Sequence, residues 1–252
     1  MSSLEEAIAL LTPRRRLLAF TGAGISTESG IPDFRGPNGV WTKIDPSEFT
    51  FDKYVTNPET RKRSWQMRVS SGVLDAAPNP AHRALVDLWK AGRLIGVVTQ
   101  NIDGLHQAAG LPDEAVVELH GNVRTVDCLE CGASWTTEEV IARVDAGEED
   151  PPCTECGGII KVSVISFGQA MPMREVDLAQ QWAAQCDAVV AIGSTLSVYP
   201  AAYVPLEAKE TGAAYVIVNQ GPTDHDDIAD VVVPGPAGET LTSLASRLIT
   251  NP

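Results

Sequence analysis

Short apolar runs, many of them rich in β-branched residues, alternate along the chain with longer segments of mixed polarity. Apolar runs that lack polar alternation are typical of strands buried on both faces of a parallel sheet. Such runs occur at Leu17–Phe20, Leu94–Thr99, Val116–Leu119, Ala188–Ile192, Tyr215–Val218 and Asp230–Val233. Helical patterns lie at residues 4–12, Ala81–Ala91, Asp177–Cys186 and Ala202–Thr211. Strands that alternate with helices predict an α/β fold, a Rossmann-like doubly wound parallel sheet.

Polar or glycine-rich residues directly follow five of these predicted strands. They begin at Gly22, Gln100, His120, Gly193 and Asn219. In a doubly wound sheet, ligands bind in the crevice outside the carboxyl ends of the strands. We therefore expect these five groups to line a single ligand-binding crevice.

Two stretches interrupt the alternation of strands and helices. Residues 37–79 form an irregular or helical excursion, and residues 127–161 contain two cysteine pairs and an acidic, flexible stretch. We predict that these two stretches form a small domain. Residues 1–36, 80–126 and 162–252 would form the larger domain that contains the parallel sheet.

Composition and charge narrow the classes of function. The 252 residues are 44% hydrophobic and 21% charged, which is ordinary for a globular protein. The net charge of −14 disfavours a nucleic-acid surface, which needs clustered Lys and Arg, and suits a basic peptide partner. The apolar runs are too short for a membrane span, and Glu5 and Glu6 disfavour a targeting leader. We expect a cytoplasmic location; no pattern indicates an oligomeric state.

Four of the five cysteines form two C-x-x-C pairs that are separated by 21 residues. The pairs are Cys128/Cys131 and Cys153/Cys156. Two matched pairs can supply the four thiolates of a tetrahedral zinc site, which leaves no open position for a substrate. We predict one structural zinc ion; a redox C-x-x-C is the alternative. The fifth cysteine, Cys186, precedes a predicted strand and is interpreted as an ordinary buried thiol.

The stretch from Gly22 to Gly36 begins with a G-x-G pattern directly after the first strand. Backbone N–H groups in such a turn can hold a pyrophosphate, although a lone G-x-G also fits many tight turns. Phe34 could cover a bound ring, and the guanidinium of Arg35 suits a phosphate. A dehydrogenase would need an acidic residue at the end of the next strand, and Asp45 follows no strand, so hydride transfer is disfavoured.

Five blocks of the sequence resemble the sirtuin family of NAD-dependent protein lysine deacylases. They are GAGISTESGIPDFRG at 22–36, TQNIDGLH at 99–106, HG at 120–121, the paired C-x-x-C motifs, and GSTLSVYPA at 193–201. The blocks occur in the order of the family and extend over most of the chain. The resemblance implies that NAD is the co-substrate and that acyl-lysine proteins or peptides are the substrates.

The resemblance also implies a role for each site residue. The contacts with NAD would come from Gly22, Ala23, Gly24, Phe34, Arg35, Gln100, Asn101, Ile102, Asp103, Gly193, Ser194, Thr195, Asn219 and Ala237. Catalysis would depend on His120, Asn101 and Asp103, with His120 as general base. The peptide would pair as a β-strand between two segments that contain Ile165, Phe167, Gly168, Leu196 and Val198.

The implied reaction transfers the acyl group from lysine to ADP-ribose. The acyl oxygen would attack the ribose that carries nicotinamide, and His120 would then take a proton from a ribose hydroxyl. Two alternatives remain open: a protein ADP-ribosyltransferase or NAD hydrolase of the same fold, and a non-catalytic NAD-binding regulator. The presence of Asn101, Asp103 and His120 disfavours the regulator.

The chain departs from the family pattern on the substrate side. Phe167-Gly168-Gln169 stands where the family usually has Phe-Gly-Glu, and Val162 stands where proline is common. Ser194-Thr195 replaces the usual Thr-Ser. These changes affect the expected peptide preference more than main-chain pairing, which needs no particular side chain.

Two further features concern the choice of acyl group. Members that favour acidic acyl groups have a Tyr and an Arg at the positions of Gln66 and Val69, so a succinyl or malonyl preference is not expected. The run from Arg61 to Arg68 resembles a branch with R-x-R-x-W, in which longer acyl groups or ADP-ribosyl transfer are favoured. The alternative interpretation of this run is a solvated basic helix face.

Overall fold

The structure is a computed structural model and describes residues 2–33, 39, 45, 47 and 50–250. The strands in that part of the chain are β1 (Leu17–Thr21), β2 (Leu94–Thr99), β3 (Val116–Glu118), β4 (Gly121–Cys128), β5 (Ser134–Thr136), β6 (Ile160–Val164), β7 (Ala188–Ile192), β8 (Ala214–Asn219) and β9 (Val231–Pro234). The α-helices are α1 (Ser3–Leu11), α2 (Phe51–Thr56), α3 (Pro58–Ser70), α4 (Pro80–Lys90), α5 (Leu105–Ala109), α6 (Thr137–Asp145), α7 (Met173–Gln185), α8 (Tyr203–Glu210) and α9 (Ala237–Thr250). None of these helices is both long and apolar enough to cross a membrane.

Six of the described strands form one parallel sheet in the order β3-β2-β1-β7-β8-β9. The chain enters at β1, winds outwards to β3, crosses back to β7 and winds outwards to β9, which is the Rossmann arrangement. The predicted fold class is confirmed, and each predicted strand differs from its observed counterpart by at most one residue at either end. Helix α9 was not predicted.

The parallel sheet is covered by helices on both faces. In β1, Leu17 and Ala19 pack into one apolar cluster with residues of α1, α4 and α9. Leu18 and Phe20 point the other way and pack with residues of α7 and α8. All five residues of β1 are buried as a result, which is why Leu17–Phe20 form a continuous apolar run.

Helix α4 begins where its sequence provides a cap. The side-chain oxygen of Asn79 accepts hydrogen bonds from the N–H groups of Ala81 (2.9 Å) and His82 (3.4 Å). Pro80 takes the first helical position, where no N–H is needed. The cap also fixes the position of His82 at the edge of the crevice.

The insertion between β3 and α7 forms a second, antiparallel sheet in the order β5-β4-β6. A third apolar cluster joins this sheet to α3 and α6 through residues such as Trp65, Val126, Val140 and Ile160. Strand β4 starts directly after His120. The second sheet is therefore attached to the edge of the crevice rather than remote from it.

Candidate active site

The loops after β1 and β7 meet where the winding of the parallel sheet reverses. The N–H groups of Gly22 and Gly24 donate to the carbonyl oxygens of Ile192 (3.0 Å) and Gly193 (2.8 Å). A β-carbon on Gly24 would lie 2.7 Å from the Cα of Gly193, and one on Gly22 would lie 2.8 Å from the Cβ of Ser194. Glycine is thus required by the close approach of the loops. These two N–H groups are bonded within the protein, contrary to the expectation that they face a phosphate.

Gly24→Ala is expected to lower the free energy of unfolding by about 1–3 kcal/mol, because the added methyl group overpacks the contact with Gly193. Gly221→Ala is the matched control, since a β-carbon on Gly221 would meet no atom within 4 Å. Urea unfolding of both variants measures the difference. Equal free energies of unfolding for the two variants would contradict the prediction, because they would mean that the two loops can move apart without a loss of stability.

Ser26, Asn101 and Asp103 form one hydrogen-bonded group beside the loop after β1. Ser26 Oγ donates to Asp103 Oδ2 (2.7 Å), and Asn101 Nδ2 donates to Ser26 Oγ (3.1 Å). Asp103 Oδ1 also accepts the N–H of Leu105 (3.0 Å). The structure therefore brings Asn101 and Asp103 together as predicted. Ser26, which is fully buried and was not singled out from the sequence, orients both of them.

Two buried histidines near this group were also not assigned from the sequence. The rings of His82 and His106 have centroids 5.0 Å apart. His106 Nε2 bonds with Thr21 Oγ1 (2.9 Å), and the N–H of Asn79 donates to His82 Nδ1 (3.4 Å). Burial lowers the pKa of His82 to about 4, against the opposing charge of Asp103, and the pKa of His106 to about 3. Both rings are neutral at pH 7, and His106 is the last residue of the TQNIDGLH block.

His120 lies between β3 and β4, directly before Gly121, with one ring nitrogen directed at the main chain. Its Nδ1 is 3.0 Å from the carbonyl oxygen of Gln100. A carbonyl oxygen can only accept, so Nδ1 carries the hydrogen and Nε2 carries the lone pair. Burial lowers the pKa of His120, although the bond to Gln100 opposes that shift, so the ring is neutral near pH 7. This is the form that a general base requires.

The side chain of Gln100 connects the ends of β2 and β7. Ser194 Oγ donates to Gln100 Oε1 (3.2 Å) and accepts the N–H of Leu196 (3.1 Å). Gln100 Nε2 is buried and has no hydrogen-bond partner among the residues that the structure describes. An unpaired buried donor costs free energy. The resemblance predicts that a ribose hydroxyl of NAD pairs with Gln100, and that contact stays a prediction.

The amino terminus of α9 is already paired with a carboxylate. The N–H of Gly238 donates to Glu28 Oε1 (2.8 Å), and a β-carbon on Gly238 would lie 2.3 Å from Glu28 Oε2. An anionic ligand would have to displace Glu28 to use this helix end. Ala237, a predicted cofactor contact, is the first residue of α9 and is buried. Asn219 ends β8, and its Nδ2 donates to the carbonyl oxygen of Gly221 (2.8 Å).

The remaining predicted cofactor contacts are distributed around the same strand ends. Ala23 begins the 3₁₀ helix Ala23–Ser29, and the Thr195 hydroxyl bonds with that of Ser197 (2.8 Å). Ile102 packs against the third apolar cluster. Phe34 and Arg35 lie outside the described residues, so their contacts with NAD stay predictions.

One of the two segments predicted to hold the peptide follows β6. The N–H of Ile165 donates to the carbonyl oxygen of His120 (2.8 Å), which brings this segment next to the candidate base. Phe167 pairs with Thr50 in a parallel bridge, and its side chain is 45% exposed. Gly168 has a φ of 79°, in the left-handed region that favours glycine.

The other predicted peptide segment follows β7. Leu196 has a φ of 58°, which non-glycine residues rarely adopt, and its side chain is fully buried in the apolar cluster under α7 and α8. The buried side chain of Leu196 is therefore not available to a peptide, and its N–H already donates to Ser194 Oγ (3.1 Å). Val198 is half-buried, and its carbonyl oxygen accepts the N–H of Ala202 (2.9 Å).

Four cysteine sulfurs form a compact group beside the second sheet. Those of Cys128, Cys131, Cys153 and Cys156 lie within 4.8 Å of one another. The sulfurs of Cys128 and Cys156 are 3.5 Å apart, and those of Cys131 and Cys153 are 3.6 Å apart. A tetrahedron of thiolates about 2.3 Å from one zinc ion has sulfur separations of about 3.8 Å, so the group fits zinc. Cys186 is buried elsewhere, under the parallel sheet.

Comparison with known proteins decides the family. The profile of the Sir2 family matches residues 22–200. The chain belongs to the Sir2 family. A protein of Streptomyces coelicolor named NAD-dependent protein deacetylase 2 is 44% identical over 240 residues, which cover 94% of this chain and 100% of the relative.

Solved Sir2 structures share the fold along nearly the whole chain. One, described as "Structural Basis for the Mechanism and Regulation of Sir2 Enzymes", is 40% identical with a TM-score of 0.89 and covers 98% of this chain and 97% of its own. Another, described as "Sir2-p53 peptide-NAD+", is 36% identical with a TM-score of 0.88 and covers 96% of this chain and 97% of its own. The resemblance to sirtuins is confirmed.

Helix α3 of this Sir2 protein carries the R-x-R-x-W run and packs inwards. Arg61 Nε donates to both carboxylate oxygens of Asp150 (3.0 Å each), and Nη2 lies 2.8 Å from one of them. Trp65 is fully buried, and burial lowers the pKa of Arg68. The interpretation of this run as a solvated basic face is wrong for these three residues.

Gln66 and Val69, by contrast, are exposed on α3. The inward-facing pair with the same spacing is Trp65 and Arg68, and Arg68 Nε has no hydrogen-bond partner among the described residues. The expectation against acidic acyl groups relied on two side chains that do not face the interior of this Sir2 protein. The acyl preference has to be measured on neutral and acidic groups alike.

Gln169 replaces the glutamate that is usual in Sir2 proteins and keeps its turn. Gln169 Oε1 accepts the N–H of Ser166 (3.1 Å), and the N–H of Gln169 donates to the carbonyl oxygen of Ser166 (3.0 Å). An amide oxygen serves as acceptor as a carboxylate would. Val162, where proline is common, pairs with Val126 inside the second sheet.

Proposed function

We propose that this Sir2 protein is an NAD-dependent protein lysine deacylase. It transfers the acyl group from lysine to ADP-ribose and releases nicotinamide. The observation that carries the proposal is the neutral His120, whose Nδ1 is fixed by Gln100 and whose Nε2 lone pair is available beside the segment that starts at Ile165. The relatives support it, since they are named NAD-dependent protein deacetylases.

The residues of the crevice would act by binding, orienting and proton transfer. NAD supplies the acyl acceptor and the leaving group. Asn101 and Asp103, locked together by Ser26, would orient the nicotinamide end, and Gln100 Nε2 would donate to the adjacent ribose. His120 Nε2 would take the proton from the ribose hydroxyl that attacks the acyl carbon. The remaining contacts predicted from the sequence are part of the same proposal.

The peptide would lie as a strand between the segments at Ile165–Gly168 and Leu196–Val198, held by main-chain hydrogen bonds. The net charge of −14 suits basic acyl-lysine proteins and disfavours nucleic acid, and we place the activity in the cytoplasm. The zinc ion would be structural, because four thiolates leave no open coordination position. The small domain would comprise residues 37–79 and 127–161, in line with the third apolar cluster.

Incubation with NAD and a panel of acyl-lysine peptides tests the proposal. The panel contains acetyl, butyryl, long-chain and succinyl groups, and mass spectrometry follows the products. Acyl-ADP-ribose is expected with at least one peptide, in equal amount to the nicotinamide released. Free ADP-ribose alone would instead indicate an NAD hydrolase, and ADP-ribosylated protein would indicate a transferase; either result contradicts the deacylase proposal.

A further inference from the structure

The β8–β9 loop (residues 220–230) contains a buried histidine that the proposed chemistry does not use. His225 is 1% exposed, and each of its ring nitrogens bonds with a tyrosine hydroxyl. Nδ1 lies 3.0 Å from Tyr215 Oη, and Nε2 lies 3.2 Å from Tyr199 Oη. Tyr215 is fully buried in β8, whereas Tyr199 is 47% exposed in the β7–α8 loop (residues 193–202). His225 therefore joins a fixed strand to a partly exposed loop.

The β7–α8 loop has a backbone that needs support. Leu196 holds a left-handed conformation that is unfavourable for a branched residue, and such conformations persist only where the surroundings impose them. The N–H of Asp224, next to His225, donates to the carbonyl oxygen of Thr195 (3.0 Å). The β8–β9 loop thus contacts the β7–α8 loop on both sides of Leu196, at Thr195 and at Tyr199.

The β8–β9 loop is itself well braced. The Thr223 hydroxyl donates to Asp226 Oδ1 (2.6 Å) and accepts the N–H of His225 (3.2 Å). The carbonyl oxygen of His225 accepts the N–H groups of Ile228 (2.9 Å) and Ala229 (3.1 Å). A side chain that projects from such a loop can hold a neighbouring segment in one position.

We propose that His225 is a positioning residue for the peptide-binding segment, through the bridge Tyr215–His225–Tyr199. The bridge holds the main chain of Leu196–Val198 where an acyl-lysine peptide would pair with it. This inference rests on the proposed function. None of the hydrogen bonds of the bridge involves Gln100, Asn101 or His120, so the bridge should affect peptide binding rather than the chemical steps.

Three variants separate the bridge from general stability. His225→Phe keeps an aromatic ring and removes both hydrogen bonds, and Tyr199→Phe removes one of them at a partly exposed position. His225→Gln is the conservative variant, since an amide can still bond to two hydroxyls. Tyr203→Phe is the matched control, because the exposed Tyr203 packs on the Tyr199 ring (4.7 Å) and its hydroxyl makes no hydrogen bond within the described part of the chain.

Steady-state kinetics are measured with the acyl peptide that the wild-type protein turns over best. For His225→Phe we expect KM for the peptide to rise about fivefold to tenfold, with kcat and KM for NAD changed less than about twofold. Tyr199→Phe should raise KM for the peptide in the same direction and add nothing when combined with His225→Phe. His225→Gln should recover part of the loss, and Tyr203→Phe should match the wild-type protein.

An unchanged KM for the peptide in His225→Phe and Tyr199→Phe, with only the melting temperature lowered, would overturn the inference. If the wild-type protein nevertheless turns over the acyl peptide, the proposed function still holds and only the role of His225 is refuted. Binding of a fluorescent acetyl-lysine peptide by anisotropy is measured in parallel. If the wild-type protein neither binds nor turns over any peptide, both the proposed function and this inference fall.

Discussion

Replacing His120 with alanine is expected to abolish formation of acyl-ADP-ribose, with a loss in rate of at least about 10²-fold. The variant lacks the Nε2 lone pair that would remove the proton from the ribose hydroxyl. The attack of the acyl oxygen precedes that proton transfer and does not need the base. Exchange of labelled nicotinamide into NAD, in the presence of the acyl peptide, should therefore persist and be measurable in the same preparation.

His120→Gln is the matched variant for this experiment. A glutamine amide can still donate to the carbonyl oxygen of Gln100, as Nδ1 of His120 does at 3.0 Å, but it cannot act as a base near neutral pH. Loss of activity in both variants would assign the effect to proton transfer rather than to the hydrogen bond. Acyl transfer at the wild-type rate in either variant would show that His120 is not the base.

The pH dependence of the wild-type protein provides a second readout of the same assignment. A base acts in its neutral form, so kcat/KM should fall as the pH decreases through the pKa of His120. Burial lowers that pKa below its ordinary value of 6.5 because the charged ring is poorly solvated. The acid inflection of kcat/KM is therefore expected below pH 6.5, and an inflection above that value would contradict a buried base.

Removal of the zinc ion is expected to unfold the second sheet and to abolish activity with it. Structural zinc contributes about 10–16 kcal/mol of apparent binding free energy, which matches or exceeds the whole stability of a typical domain. Cys128 and Cys153 belong to the third apolar cluster, so loss of the metal disrupts its packing. Strand β4 begins directly after His120 and β6 ends directly before Ile165, so the disruption reaches both the base and the peptide segment.

Measurements of metal content and of thermal unfolding test the zinc prediction. One zinc per chain is expected by elemental mass spectrometry, together with a large fall in melting temperature when a chelator is added. Cys131→Ser should lose the metal. Cys186→Ser is the matched control and should keep it, because the buried Cys186 bonds to Ala183 (3.2 Å) rather than to the sulfur cluster. A folded, active protein without metal would refute the prediction.

Features with a local signal could be predicted from the sequence. The parallel strands are continuous apolar runs because both faces of the sheet are covered. In each pair, two residues separate the zinc ligands, so spacing alone identifies them. The crevice followed from one topological rule, that the carboxyl ends of parallel strands share an edge. It correctly predicted that His120 and Ser194, which follow other strands, meet Gln100.

Features that depend on contacts between distant segments were missed or misassigned. Gln66 and Val69 were counted along α3 without knowing its rotation, and the inward pair is Trp65 and Arg68. Glu28 carries no signal of its role in the sequence, because its partner, the N–H of Gly238 in α9, lies 210 positions later in the chain. Such pairings leave no periodicity or spacing in the sequence.

The amino-acid sequence by itself determined the class of fold, the family and the types of side chain available for chemistry, because hydrophobic periodicity and motif spacing are local properties of the chain. Only the tertiary structure decided which of those side chains contact one another, which hydrogen bonds they form and which protonation state each one has. Three examples arise where separate strand ends meet: the Nδ1 hydrogen of His120, the Nε2 of Gln100, which has no partner among the described residues, and the close contact of Gly24 with Gly193. Burial and hydrogen bonding at that meeting point set the charge and the available atoms of each group, and both are properties of the packed chain.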